Sequence, residues 1–530
     1  MLDKKKEERM KKVSLIMLVF LLSAGMFFAG SKQNCEAAEE TLVYATTEKV
    51  TDMDPANAYD FHTWEIFRNI SEGLLKYKPG TTELQPGLAK DYTVNDAGDK
   101  YTFQLREGLK FSDGSSFTAE DVVSSIERVM RLEGDPSWLV TDFVGSVEAV
   151  DEYTVRFNLK QPVGFFPSLV ATVPYFPMNP KVFPEDDIIS NPDELEGGEL
   201  AGLGPYKIVS FKRDEQVMLE RNTEYYGDQA PIKRVVIQYF ADATTMRLAL
   251  ENDEVDLVYK TLNPSDVNSM LEKDAYPSHK IPSSYIRYLC FETSESQFKD
   301  RKLRQAVAAL IDREPIIQKV FLGQMEPLYS MVPKGMKFHT DAFKEELGDG
   351  NIELAEKLLA EAGYSEDEPF SFQLWYTPSH YGDTEVNMAE VLRTQFEKSE
   401  MVEVELKSSE WSTYTANFDN KSMPAFLLGW YPDYMDPDNY TAAFAGTSGS
   451  KGMGIHFSDP EWDALFSKEQ GTPDTEVRKE VFHQIQQMWT EDVPTAPIIQ
   501  GQLYIFTQPN VKGVNVGTDM VLHYNTLYFE

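Results

Sequence analysis

Between residues 351 and 428 the apolar side chains switch repeatedly between helical and strand spacing, and this alternation constrains the fold more than any other feature of the chain. Asn351 stands as an N-cap before Ile352, Ala355, Leu358, Leu359 and Ala362, which share one face of a helix that Gly363 ends. Residues 370–376 read as a strand, 388–396 as a helix and 402–406 as a second strand. Leu427 and Leu428 read as the end of a third, buried strand. Strands alternating with helices pack as a sheet covered by helices, so the expected class is α/β. At 530 residues the chain is too long for one ordinary core, and two or three lobes are expected.

The rest of the chain agrees with this class. Residues 41–45 form a strand-like run, and Trp64, Phe67 and Ile70 follow at helical spacing, with Gly73 as a C-terminal cap. Residues 101–105 alternate as a strand. Thr118-Ala119-Glu120-Asp121 has the form of a capping box, and Val122, Val123, Ile126, Val129 and Met130 make one apolar face behind it. The tail 511–529 is strand-like and is expected to return to the first lobe.

Charge and the N-terminus narrow the partners. The formal net charge of −36 argues against nucleic acid or an anionic membrane surface, which need a basic footprint. Lys4, Lys5, Lys6, Arg9, Lys11 and Lys12 precede an apolar run over 13–30 and then small residues, a secretory signal pattern. Residues 1–38 are therefore expected to be a signal peptide and a loose N-terminus, cut near Ser31 or Ala37. The mature protein is expected outside the cytoplasm, as a monomer. With Cys35 and Cys290 alone there is no disulfide framework, and Cys290 lies in an apolar run as a small buried hydrophobe.

One stretch carries most of the functional signal. Residues 427–440, Leu-Leu-Gly-Trp-Tyr-Pro-Asp-Tyr-Met-Asp-Pro-Asp-Asn-Tyr, set acids and aromatic rings on a segment that two prolines keep from forming a regular helix or a central strand. A stiff loop leaving a buried strand is a common place for binding. Gly429-Trp430-x-x-Asp433-Tyr434, followed by Asp436-Pro437-Asp438-Asn439, resembles the ligand loop of the family 5 extracellular solute-binding proteins, receptors of ABC importers for oligopeptides and dipeptides. Leu105-Arg106-Glu107-Gly108-Leu109-Lys110-Phe111-Ser112-Asp113-Gly114 and Gly202-Leu203-Gly204-Pro205-Tyr206-Lys207 resemble two further motifs of that family, in the same order.

The resemblance implies a periplasmic-binding-protein-like fold of the cluster C type: two α/β lobes joined by a hinge, plus a smaller extra subdomain. Its parts would be lobe I over 41–85, the subdomain over 86–203, lobe I again over 204–295, lobe II over 296–500 and a return to lobe I over 501–530. Crossings between lobes are expected near 202–206 and 298–304. The implied ligand is a peptide, and the implied partners are ABC permease subunits with cytoplasmic ATPases. Asp433 would hold the ligand's N-terminal ammonium, with main-chain groups from Gly429 and Tyr431. Trp430, Tyr434, Trp411, Tyr376, His380 and Tyr59 complete the candidate ligand-binding set. Trp411 reads equally as a core residue on a strand after 402–406.

Two departures from the family stand out. Ser31 occupies the place of the acylated cysteine of many relatives, so lipidation is not expected. Dipeptide-specific relatives hold the ligand carboxylate with an arginine after the strand ending near Tyr376. Here 369–392 contain neither Lys nor Arg, which leaves His380 as the candidate cation and favours a longer peptide or a ligand without a C-terminal carboxylate. An oligosaccharide receptor is the alternative, with Trp375, Tyr376, Tyr431 and Tyr434 as stacking platforms. A ligand-sensing or chaperone-like envelope protein is another. The sequence has no nucleophile elbow, Walker loop, His-Glu-x-x-His or Cys-x-x-Cys, no ligand spacing among its seven histidines and no complete calcium loop, so neither an enzyme nor a cofactor is expected.

Overall fold

The computed structural model describes residues 40–189, 194–196, 200–378, 380–381, 383–517 and 519–530. The expected signal peptide, Ser31 and Cys35 lie outside the described residues. The main sheet runs, from one edge, through Val402–Ser408, Phe370–Tyr376, Ala425–Trp430, Ser278–Phe291, Thr495–Thr507, Leu257–Tyr259, Thr41–Thr46, Arg234–Tyr239, Gln216–Arg221, Tyr206–Lys212 and Glu194–Glu196.

Two strands hold this sheet together. Ser278–Phe291 and Thr495–Thr507 are antiparallel partners, paired from Ser278 with Phe506 to Cys290 with Thr495. The pairing breaks between Pro282 and Ile286. Proline has no N–H for the ladder, so a break there is what its chemistry dictates. On one side of the break, residues 505–507 pair with Leu257–Tyr259. On the other, residues 286–291 pair with Ala425–Trp430. Each long strand thus belongs to both halves of the sheet, and the chain passes between lobes inside these strands rather than near 202–206 or 298–304.

Separate cores confirm two lobes. One buried cluster contains Leu42, Tyr44, Val235, Ile237 and Leu257 from the lobe I half of the sheet. The same cluster takes in Val511, Leu522, Tyr524 and Leu527 from the tail. A second contains Leu289, Phe372, Leu374, Val404, Leu427 and Trp489. The helix Ile352–Glu361 buries Ala355 and Leu359 against it, and the Asn351 side chain caps that helix by accepting from the Leu354 amide.

A four-stranded antiparallel sheet, ordered Ala89–Val94, Lys100–Leu105, Thr154–Leu159 and Val144–Asp151, forms the small subdomain. The helix Ala119–Leu132 packs beside it, with Val122, Ile126 and Val129 buried. Its capping box is present: the Thr118 amide donates to Asp121 at 2.8 Å. Cys290 is buried and free. No described helix is long and apolar enough to cross a membrane.

Candidate functional site

The two lobes face each other across a cleft of about 1320 Å³. From lobe I come Tyr59, Phe61, Trp64 and Lys260, and from lobe II Trp411, Gly429, Trp430, Tyr431 and Asp433. His380 and Tyr381 also line it, as do Tyr285 and Arg287 from a crossing strand. The space exceeds that of a typical drug-sized ligand pocket.

The loop after Ala425–Trp430 is held from below. From Pro432 to Tyr440 every residue except Met435 is buried. Asn439 is the clamp: its Oδ1 accepts from the Trp430 indole at 3.1 Å and the Asp433 amide at 3.0 Å, and its Nδ2 donates to Asp433 Oδ2 at 3.1 Å. The other two acids are spent on structure. Arg478 donates to both Asp436 oxygens at 2.8 and 2.6 Å and to Glu469 at 2.7 Å. Asp438 accepts from the Tyr434 hydroxyl at 2.6 Å and the Gln470 amide at 2.8 Å.

Asp433 is different. It is 6% exposed, and its Oδ1 accepts from the Tyr59 hydroxyl at 2.8 Å across the cleft. Among the described residues no ion pair is formed with it. Burial pushes its carboxyl up to about 6, although hydrogen bonds from Asn439 and Tyr59 and the charge of Arg68 favour the ionised form. Such a carboxylate gains from a cation brought to it.

Seven of the nine sequence candidates meet in this cleft. Tyr59, Gly429, Trp430, Tyr431 and Asp433 are joined by Trp411 and His380, whose rings stack at 3.7 Å and 2°. Trp411 starts a helix, Trp411–Asp419, and does not lie on a strand. Tyr431 stacks on Tyr285 at 4.7 Å. Tyr434 and Tyr376 lie outside the lining. Tyr434 is 4% exposed and stacks on Phe165 of the subdomain at 5.2 Å, while Tyr376 packs at the edge of the lobe II core.

The cation comes from an unexpected place. His380 is not one at neutral pH, because desolvation in the cleft and the nearby Arg287 charge push its imidazole down to about 4. Arg287 is the cation beside it, its guanidinium 3.4 Å from the Tyr381 ring centre. Arg287 lies outside 369–392, on the crossing strand Ser278–Phe291. Its signal was local: a lone charge inside the buried run Tyr285-Ile286-Arg287-Tyr288-Leu289. Gly429 makes room for it, because a Cβ there would stand 2.7 Å from Arg287 Nη1 and 3.2 Å from Tyr381. Lys260, from lobe I, also lines the cleft, 6% exposed between Glu48 at 3.3 Å and Glu65 at 3.2 Å.

Residues 83–452 match the family model of the bacterial extracellular solute-binding proteins, family 5. The chain belongs to this family. It is 26% identical over 508 residues to heme-binding protein A of Haemophilus influenzae, covering 90% of each chain. It is 24% identical over 523 residues to the dipeptide-binding protein of Escherichia coli, covering 93% of this chain and 95% of that one. The crystal structure of a dipeptide-binding protein from a Pseudoalteromonas species, in complex with Met-Leu, superposes with a TM-score of 0.78 at 23% identity, covering 92% of this chain and 100% of that one. The solute-binding protein therefore shares the two-lobe fold of the periplasmic peptide-binding proteins.

Proposed function

We propose that this solute-binding protein is the exported receptor of an ABC importer, that it captures peptides between its lobes, and that it delivers them to a membrane permease driven by cytoplasmic ATPases. Asp433 carries this reading. It is a buried carboxylate on the cleft wall, held by neutral donors, with no cation of its own among the described residues. The ammonium of a peptide N-terminus is the complement of such a group. Gly429 and Tyr431 offer main-chain groups to an extended backbone, and Trp430, Trp411, His380 and Tyr59 border the ligand. Tyr434 and Tyr376 support the loop and the strand end from outside the cleft.

The names of several relatives favour peptides, and the platform expected for a sugar is reduced because Tyr434 and Tyr376 do not line the cleft. The test compares free and N-acetylated peptides by calorimetry on wild type and Asp433→Asn. Acetylation is expected to cost wild type roughly 2–5 kcal/mol, about 30- to several-thousand-fold in affinity, and the Asn variant much less. Equal losses in both proteins would place the ammonium elsewhere. Binding of neutral sugars in place of peptides would sink the reading.

A further inference from the structure

Among the described residues, five arginines are buried: Arg128, Arg287, Arg304, Arg313 and Arg478. Four of them direct their donors at oxygen atoms within hydrogen-bond distance. Arg128 grips Asp54, Arg304 the carbonyls of Phe298 and Asp492, Arg313 Asp349 and two carbonyls, and Arg478 Asp436 and Glu469. Arg287 does not. Its Nε and Nη1 are buried with no hydrogen-bond partner. The nearest acid is Glu385, 3.8 Å from Nη1, an ion pair too long to be a hydrogen bond. Glu385 is 1% exposed and its Oε1 also has no hydrogen-bond partner.

A buried guanidinium left this way forgoes the charge-assisted hydrogen bonds that offset its desolvation. Its plane is set instead by rings, with Tyr381 on one side and Tyr285 at 5.1 Å. Two rings hold the fork, and two of its donors have no hydrogen-bond partner, an unmet demand that a planar, two-oxygen acceptor would satisfy. Arg287 lines the same cleft as Asp433, so a carboxylate and a guanidinium serve one ligand space.

We propose that Arg287 is the carboxylate receptor of the cleft and that Glu385 is a positioning residue holding it as a weak internal counter-ion, so that the ligand is a short peptide with a free C-terminus. This rests on the peptide reading above and adds which end of the peptide is recognised, and by which strand. It also replaces the cation that residues 369–392 lack with one carried by a crossing strand. Arg287 adjoins the irregularity in strand pairing between Arg287 and Tyr288, so the ligand's negative end sits against a segment shared by the two lobes.

Two synthetic tripeptide pools, randomised at every position, test this by native mass spectrometry: one with free C-termini, one amidated. Wild type is expected to bind the free-acid pool about 30-fold or more tightly than the amidated pool. Arg287→Gln should bring that ratio close to unity, and Arg287→Lys should restore part of it. Glu385→Gln should raise the ratio, because the ligand carboxylate no longer competes with an internal acid; a Glu385 that only supports the fold would leave the ratio unchanged and overturn its assigned role. Equal binding of both pools by wild type overturns the inference and leaves the peptide reading standing, a result that needs no variant to fold. Binding of neither pool overturns the peptide reading, and the inference with it.

Discussion

Three acids within six residues, Asp433, Asp436 and Asp438, have three different fates. Composition cannot separate them, because each is a short carboxylate beside proline or an aromatic ring. What separates them is the partner. Arg478 takes Asp436, Tyr434 and Gln470 take Asp438, and only Asp433 opens onto the cleft without a cation. Burial then sets a pH dependence. The Asp433 carboxyl lies at about 6 against an ordinary value of 3.8, so the ligand-free fold holds this proton more tightly than the unfolded chain. That contribution to stability is present below 3.8 and is lost as pH rises through about 6. Ligand binding carries the opposite sign, because the ammonium needs the ionised form. Affinity for a free N-terminus should climb by up to about tenfold per pH unit as pH rises towards 6 and level off above it. Calorimetry from pH 5 to 8 checks this, and a slope that survives Asp433→Asn would assign the effect to another group.

At the scale of elements, the 427–440 segment reads as a stiff loop leaving the core and is found to be buried from Pro432 to Tyr440 except at Met435. Its charges decide this. Arg478 lies on the helix Thr475–Asp492, and Glu469 on the helix Pro460–Gln470. With Asp436 they form a triad in which Arg478 is 8%, Asp436 7% and Glu469 0% exposed. Burial and the neighbouring Asp438 push the Glu469 carboxyl up, and the Arg478 charge acts against that shift. Arg478→Ala should leave two buried acids without their cation and destabilise lobe II by about 3–5 kcal/mol. Chemical denaturation followed by tryptophan fluorescence measures it. A shift within about 0.5 kcal/mol, ordinary for a surface substitution, would show that the triad adds little. Loss of ligand affinity should accompany the destabilisation, since the same triad anchors the loop that carries Asp433.

For the whole molecule, non-covalent contacts besides the crossing strands also join lobe II to lobe I and to the subdomain, three of them at or beside the cleft. Tyr59 donates to Asp433, Phe61 lies 5.8 Å from Tyr431, and Phe165 stacks on Tyr434. The covalent links that oppose separation are two strands whose pairing is already interrupted at Pro282–Ile286. Breaking a few polar and ring contacts costs little beside unfolding a strand, so rotation about that interruption is the soft motion. Addition of a bound peptide should therefore lower the radius of gyration in solution scattering. Phe165→Ala, which removes one latch outside the ligand space, should enlarge the ligand-free protein and make that change greater. Identical profiles with and without saturating peptide would rule out closure about this break.

Local order was legible without coordinates. The alternation of residues 351–428, the capping box at Thr118 and the cap at Asn351 are written by neighbours a few positions apart, and each appears where backbone geometry requires it. The Gly-Trp-x-x-Asp-Tyr loop was legible as a place, because prolines and aromatics leave few conformations open to it. Tertiary structure alone decided which carboxylate faces the cleft, since the arginine that neutralises Asp436 lies 42 positions away. It alone decided that Arg287 faces the cleft, because Arg287 and Tyr381 meet only when a crossing strand and lobe II pack together. Spacing within the chain sets helices, strands and caps; the pairing of charges depends on which distant segments share one low-dielectric site, and no local period records that.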